Sequence, residues 1–173
     1  EDNRKKQADP ANPQLINGDF EEKPLESGHM PGWYYQRGLT WMNKTDSSLI
    51  NGEHYVQFEN DTRGRPTNLL QGVALDGSKI RRVRLSAAMM LQDVRPGVDA
   101  TELPAITIRF FDERRALLGT HWLGAVRGSR PWRQESRVFR VPPETREAIV
   151  SIGLFGATGK AAFDNVRLEP IKN

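Results

Sequence analysis

The sequence predicts an all-β domain, a sandwich or a barrel, and three observations carry that expectation. Apolar and polar residues alternate with a period of two over most of the chain from residue 54 onward. Turn-forming pairs recur between those stretches. Nowhere do apolar residues recur at i, i+3, i+4, i+7 for more than about two helical turns.

The alternating stretches come in order. In 54–60, HYVQFEN, Val56 and Phe58 alternate with Tyr55, Gln57 and Glu59. After a candidate strand at 68–75, the run 79–92, KIRRVRLSAAMMLQ, places Val83, Leu85, Ala87, Met89 and Leu91 on one face. Its other face carries Arg82, Arg84, Ser86, Ala88, Met90 and Gln92, which makes a long strand with one oily and one mixed side. In 105–111, AITIRFF, Ile106, Ile108 and Phe110 oppose Thr107, Arg109 and Phe111. Further strands are expected at 118–125, 134–141, 147–155 and 161–168, with 112–118 as a hairpin. The turn signals are Asp76-Gly77, Pro96-Gly97, Gly128-Ser129, Pro142-Pro143 and Thr158-Gly159. About nine or ten short strands with regular turns suit a sandwich or a barrel.

The 173 residues suit one domain, residues 14–171, preceded by a polar leader or linker over 1–13, EDNRKKQADPANP, expected to be disordered. The chain has no cysteine, which excludes disulfides and cysteine-based zinc sites. There are 25 Lys and Arg against 22 Asp and Glu, and the charges are interspersed, as with Arg114 and Arg115 beside Asp112 and Glu113. Arg81, Arg82 and Arg84 cluster, as do Arg127, Arg130 and Arg133, but without the interleaved exposed aromatics of a nucleic-acid platform. No apolar run approaches the roughly 20 residues of a membrane span. The least regular part is 23–53, with Trp33, Tyr34, Tyr35 and Trp41 among glycines and prolines. Such loops on a β scaffold are where binding tends to reside.

An ordered set of motifs runs through the chain: LINGDFEE (15–22), PGW (31–33), NLLQGVAL (68–75), KIRRVRLSAAMML (79–91), Trp132 leading to VFRVP (138–142), EAIVSIGLFG (147–156) and AFDNVRLEP (162–170). This set resembles the carbohydrate-binding modules of families four, nine and twenty-two, within the galactose-binding-domain-like jelly rolls. The resemblance covers nearly the whole chain. It implies a jelly-roll β-sandwich of two five-stranded antiparallel sheets with the first and last strands side by side. It also implies a structural calcium near the termini, held by Glu21 and Asp164, with Asp19 as a possible extra ligand two residues away. Calcium takes about six to eight oxygens, so loop carbonyls would complete the set. The competing reading is that these acids are exposed strand-end charges, or that Glu21 pairs with a nearby Lys or Arg.

Sugar recognition needs flat aromatic faces for the C–H side of a pyranose ring and planar polar groups around the rim. Trp33 and Trp132 match family positions that pack in the core. Trp41 and Trp122, with Tyr35 or its neighbour Tyr34, are the stacking candidates. Arg84 and Gln92 on the mixed face of 79–92, joined by Arg109 if the two strands are neighbours, are the polar candidates. The expected function is a non-catalytic module for a poly- or oligosaccharide, monomeric, binding no nucleic acid. It would be secreted, periplasmic or on the cell surface after removal of a signal peptide, as part of or beside a glycan-active protein. Two other classes stay open: a structural or protein-interaction sandwich, and a small jelly-roll enzyme acting on glycosides. For catalysis, His29, His54 and His121 lie far apart, and no HExxH or G-x-S-x-G pattern occurs. Two isolated carboxylates facing each other across a cleft would favour the enzyme.

Overall fold

The computed structural model describes residues 8–44 and 52–172, and among them no helix occurs. Ten strands form two antiparallel five-stranded sheets, a jelly-roll sandwich. Sheet A runs in the spatial order β1 (Tyr34–Arg37), β4 (Asn68–Ala74), β9 (Glu147–Gly153), β6 (Ala105–Phe111) and β7 (Leu117–Gly124). Sheet B runs β2 (Leu39–Asn43), β3 (His54–Asn60), β10 (Thr158–Pro170), β5 (Arg82–Arg95) and β8 (Gly128–Arg140).

The period-two pattern dictates which side of each strand faces inward. Val83, Leu85, Ala87, Met89 and Leu91 of β5 all turn into the core, as their alternation predicts. Ile106, Ile108 and Phe110 of β6 and Val150 and Ile152 of β9 meet them from the opposite sheet, fully buried. Phe58 of β3 and Phe163 of β10 pack edge to face at 5.7 Å in the same layer. Trp33 is completely buried against Phe20, and its indole N–H donates to the Asn17 carbonyl at 2.9 Å, in line with the core role its motif implies.

Three expectations need correction. The segment 15–22, which the resemblance makes the first strand and sets beside the last, is not a strand. It is an irregular cap in which Asn17 and Phe20 adopt positive φ, joined to β10 through Val166 N–H donating to the Gly18 carbonyl at 2.9 Å. The Ile16 backbone meanwhile exchanges two hydrogen bonds with the buried Gln71 amide on β4, so side-chain hydrogen bonding replaces a sheet ladder. Second, β8 begins at Gly128, where the sequence signals a turn; Ser129 Oγ accepts the Asp93 amide at 2.9 Å and carries the pairing past a bulge. Third, Trp132 is not a core residue. It lies on the outer side of sheet B, edge-on to Tyr55 at 5.1 Å. The leader expected over 1–13 includes 1–7, outside the described residues. Residues 8–13 run along the domain, with Pro13 buried and the Pro10 carbonyl accepting the Asp76 amide at 2.8 Å.

The cap makes one position intolerant of a side chain. A Cβ on Gly18 would collide with the Val166 carbonyl oxygen, whereas a Cβ on Gly72 of β4 would find only the Glu147 carboxylate, at ordinary contact distance. Gly18→Ala is therefore expected to lower stability by about 1–3 kcal/mol, as overpacking does, and Gly72→Ala to leave it nearly unchanged. Urea unfolding of the two variants checks the contrast.

Candidate functional site

The two sheets separate the expected site residues into two groups. Trp41 (β2), Arg84 and Gln92 (β5) belong to sheet B, while Arg109 (β6) and Trp122 (β7) belong to sheet A, with Tyr34 and Tyr35 on its far edge strand. Arg109 therefore does not extend the mixed face of β5, because β6 pairs with β7 and β9 in the other sheet.

Arg109 and Trp122 do come together. On the outer face of sheet A, Trp122 stands directly opposite Thr107, and Thr107 opposite Ser151. Ser151 in turn faces Leu70, and Leu70 faces Tyr34. One row of cross-strand neighbours thus crosses the whole sheet with an aromatic ring at each end, and four inter-strand steps give it a length of roughly 19 Å. Trp122 is 51% exposed and Tyr34 48%. Tyr35, at 72%, sits at a positive φ, and its carbonyl accepts the Asn68 side-chain amide at 3.0 Å.

At the Trp122 end the row deepens into a trough of about 500 Å³, lined mainly by Leu103, Ala105, Thr107, Arg109, Trp122 and Phe155. Its wall, the segment before β6, is held by polar clasps. Glu102 Oε1 accepts the Val98 and Asp99 amides at 2.8 and 3.3 Å, and Asp99 Oδ1 accepts the Thr101 amide and hydroxyl at 2.9 and 3.0 Å. The Thr101 donors hold the Asp99 carboxyl below its ordinary pKa. Arg63 Nη2 clasps the Gly97 carbonyl from the neighbouring loop at 2.9 Å. Such internal bonding preorganises a wall that would otherwise have to be ordered on binding. Thr107, Thr120 and Phe155 escaped the sequence reading. The outward phase of β6, which Thr107 shares with Arg109, was the available signal.

The mixed face of β5 looks different from the shallow groove its small residues suggest. Tyr55, from β3, and Trp132, from β8, reach over the two intervening strands and meet above them, while Ala88 and Ala162 are fully buried. Burial raises the Tyr55 pKa. Arg84 and Gln92 are exposed on the same face, but eight residues apart along β5, roughly 26 Å, so they do not form one site. Trp41 is half-buried, its ring stacked on His54 at 4.0 Å and its indole N–H donating to the Phe20 carbonyl at 2.7 Å. Both handles of that tryptophan are used inside the fold.

The acids at the two chain ends lie near enough for their charges to interact, but among the described residues no group of three or more His, Cys, Asp or Glu is placed to hold a metal ion. Asp164 is completely buried at the point where β10 shifts register against β5, next to Asn165 at positive φ. Its Oδ1 accepts the Asn165 amide at 2.8 Å, and its Oδ2 has no hydrogen-bond partner. Burial pushes the Asp164 carboxyl up to about 7, and the nearby charges of Glu21 and Asp19 add to the rise, while Lys44 opposes it. Glu21 is differently placed. Its Oε1 accepts the Glu53 and His54 amides at 2.9 and 3.0 Å, and its Oε2 lies 3.1 Å from His54 Nδ1. Partial burial raises the Glu21 pKa, but these bonds to His54 and Glu53 outweigh it and leave the carboxyl below its ordinary value. Asp19 Oδ1 accepts the Glu21 amide at 3.3 Å.

Comparison with known proteins places the fold. No protein-family model and no curated protein matches the chain. Among solved structures, the enzymatically active domain of bacteriophage CBA120 tailspike protein 4 aligns with a TM-score of 0.63 at 18% identity. That match covers 91% of this chain but only 21% of the tailspike chain, so the protein corresponds to about a fifth of it. The family 22 xylan-binding domain from a Paenibacillus barcinonensis xylanase aligns with a TM-score of 0.52 at 13% identity over 96% of this chain and 99% of that one. A Stig cyclase from Fischerella sp. TAU, solved with a pyrrolidinylidene-indole, aligns with a TM-score of 0.58 at 15% identity over 93% and 98%. At these identities the likeness shows the fold, the jelly roll of the carbohydrate-binding modules that the sequence motifs resemble. Proteins of that fold include binding modules and enzymes.

The buried carboxyl generates a pH dependence. Its value in the folded chain, about 7, lies above the ordinary 3.8, so between those limits the folded state holds more protons than the unfolded state. Stability attributable to Asp164 is therefore complete below about pH 4 and is lost as pH rises toward 7. In chelator-containing buffer, Asp164→Asn is expected to gain on the wild type steadily over that range and to hold a constant advantage above it. Thermal melts of both proteins from pH 4 to 8 measure the difference.

Proposed function

We propose that the protein is a non-catalytic carbohydrate-binding module that takes a polysaccharide along the outer face of sheet A. The observation that carries this reading is the row from Tyr34 to Trp122. It places two exposed aromatic rings at the ends of a straight path, with Leu70, the buried Ser151 and Thr107 between them. An extended sugar chain has alternating C–H faces and hydroxyl rims, and a path of this shape offers both kinds of contact. Trp122 is the principal platform, because its ring is half exposed and has no internal ring partner among the described residues. Thr120 supplies a hydroxyl and Arg109 a planar fork of donors at the rim, while the Thr107 hydroxyl oxygen is itself buried. The lining of this trough includes no carboxylate, so it lacks the facing pair of acids that glycoside cleavage uses. A cut or appended module of an exported glycan-active protein is the setting we propose.

A structural cation at the chain ends belongs to the same proposal. What supports it is Asp164 Oδ2, a buried acceptor without a donor, with the negative charge of Asp19 and Glu21 nearby; the described residues hold no preformed cluster of three or more such ligands. Asp164 and Asp19 would hold calcium together with loop carbonyls, while Glu21, already facing two amides and His54, would act through its charge. Bound calcium would fix the junction between the cap and β10.

Two measurements test these readings. Affinity electrophoresis on a polysaccharide panel is expected to show retention of the wild type and at least tenfold weaker binding by Trp122→Ala, the cost of truncating a central aromatic anchor. Trp41→Ala should bind as the wild type at temperatures where it is folded, and no retention on any polysaccharide would end the glycan reading. For the cation, adding calcium to chelator-treated protein should raise the thermal midpoint of the wild type and not of Asp164→Asn.

A further inference from the structure

Arg109 is the charged group in the trough, and its surroundings are unusual for a site that reads only neutral hydroxyls. The lining includes no Asp, Glu, Lys or His. The guanidinium is exposed and has no hydrogen bond or ion pair with any described residue. The acid placed to neutralise it is Glu147, diagonal to it across the β6–β9 pairing, where Ile149 lies opposite Arg109 and Glu147 opposite Phe111. That carboxylate turns instead to Arg115, at 3.5 Å. On the other side, the residue opposite Arg109 is Thr120, a second hydroxyl-bearing neighbour within the reach of a cross-strand pair.

A neutral sugar hydroxyl both donates and accepts, and sites for neutral sugars profit from carboxylate or amide acceptors. This trough offers a guanidinium with five N–H donors and no charged acceptor. The planar fork matches a carboxylate or a sulfate, which it can meet with two parallel hydrogen bonds. An apolar floor beside the fork, made by Leu103, Ala105 and Trp122, lowers the local polarity and lets the charge act more strongly than on an open surface. We propose that the sugar chain recognised on sheet A is anionic, carrying a carboxylate or sulfate on the ring next to the one stacked on Trp122, and that Arg109 reads that group. The inference rests on the glycan-binding reading of the same face.

Matched pairs of polymers separate charge from sugar. Binding is measured by affinity electrophoresis and calorimetry on polygalacturonate, alginate and a sulfated galactan, each beside its methyl-esterified or desulfated counterpart, with neutral xylan and glucan alongside. At least one anionic polymer is expected to bind about tenfold or more tightly than its neutralised counterpart, and the pair that shows it distinguishes carboxylate from sulfate. Arg109→Gln should abolish that preference, Arg109→Lys should keep it at lower affinity because charge survives without the fork, and Trp122→Ala should weaken both members of the pair. Arg109 is exposed, and equal thermal midpoints of the variants and the wild type establish that they are folded. Equal binding of every matched pair, retention on neutral polymers alone, or a preference that survives Arg109→Gln overturns the anion inference and leaves the trough reading standing. If the wild type is retained on no polymer of either charge, the trough reading fails and the inference with it.

Discussion

A sheet can present a binding surface on one face only if its other face is fully satisfied, and in this sandwich the inner layer meets that condition. The side chains of β5, β6, β9 and β10 that point inward are almost all fully buried, and they are aliphatic or aromatic with few exceptions. Burial of that layer fixes register, because a slip of one residue would turn every inward side chain to solvent. Once register is fixed, the outward residues of five different strands are fixed too. The row from Tyr34 to Trp122 exists because five strands keep their phase relative to the same core.

The two outer faces then diverge for a local reason. Sheet B has small residues at the centre of its outward face, and tall aromatics on β3 and β8 close over them, so its middle is filled by the protein itself. Along the row that crosses sheet A the aromatics stand at the edge strands, Tyr34 on β1 and Trp122 on β7, with three strands between them, too far apart to meet. The distance between the aromatic-bearing strands decides the outcome. Two intervening strands let the rings touch, whereas three leave an open path. A trough therefore persists on one face and a plugged surface on the other, from similar residue types.

This explains how far the residues could be read in advance. The strand pattern and the inward faces were legible, since period-two alternation reports burial directly, as in Val83 to Leu91. The closure of the chain ends was legible in outline, since NGDFE and FDNV do meet through Gly18 and Val166. The form of that closure was not, because the cap uses positive-φ residues and side-chain bonds such as Gln71 to Ile16 that alternation does not encode. Trp41 and Trp122 were indistinguishable as exposed-aromatic candidates. What separates them is long-range: the Phe20 carbonyl and His54 ring that occupy Trp41 come from positions 21 residues before it and 13 after it. Arg84, Gln92 and Arg109 could not be sorted either, because assigning β5 and β6 to different sheets requires the pairing order of all ten strands.

Some features of the trough are structural, and others are free for selection to alter. Leu103, Ala105 and the clasped 96–104 segment shape the wall, and Gly97 and Gly156 leave no room there for a larger side chain, since a Cβ at either would press on Glu102. Change at those positions would be felt in stability before it was felt in recognition. Arg109, Thr120 and Trp122 stand outside that constraint: they project from strands whose inward neighbours alone carry the fold. Specificity can be rewritten at these outward positions with little cost to the sandwich, which fits a fold shared at under 20% identity by a xylan-binding domain, a cyclase and part of a tailspike. Among these outward side chains, the charge without an ion-pair partner among the described residues is Arg109.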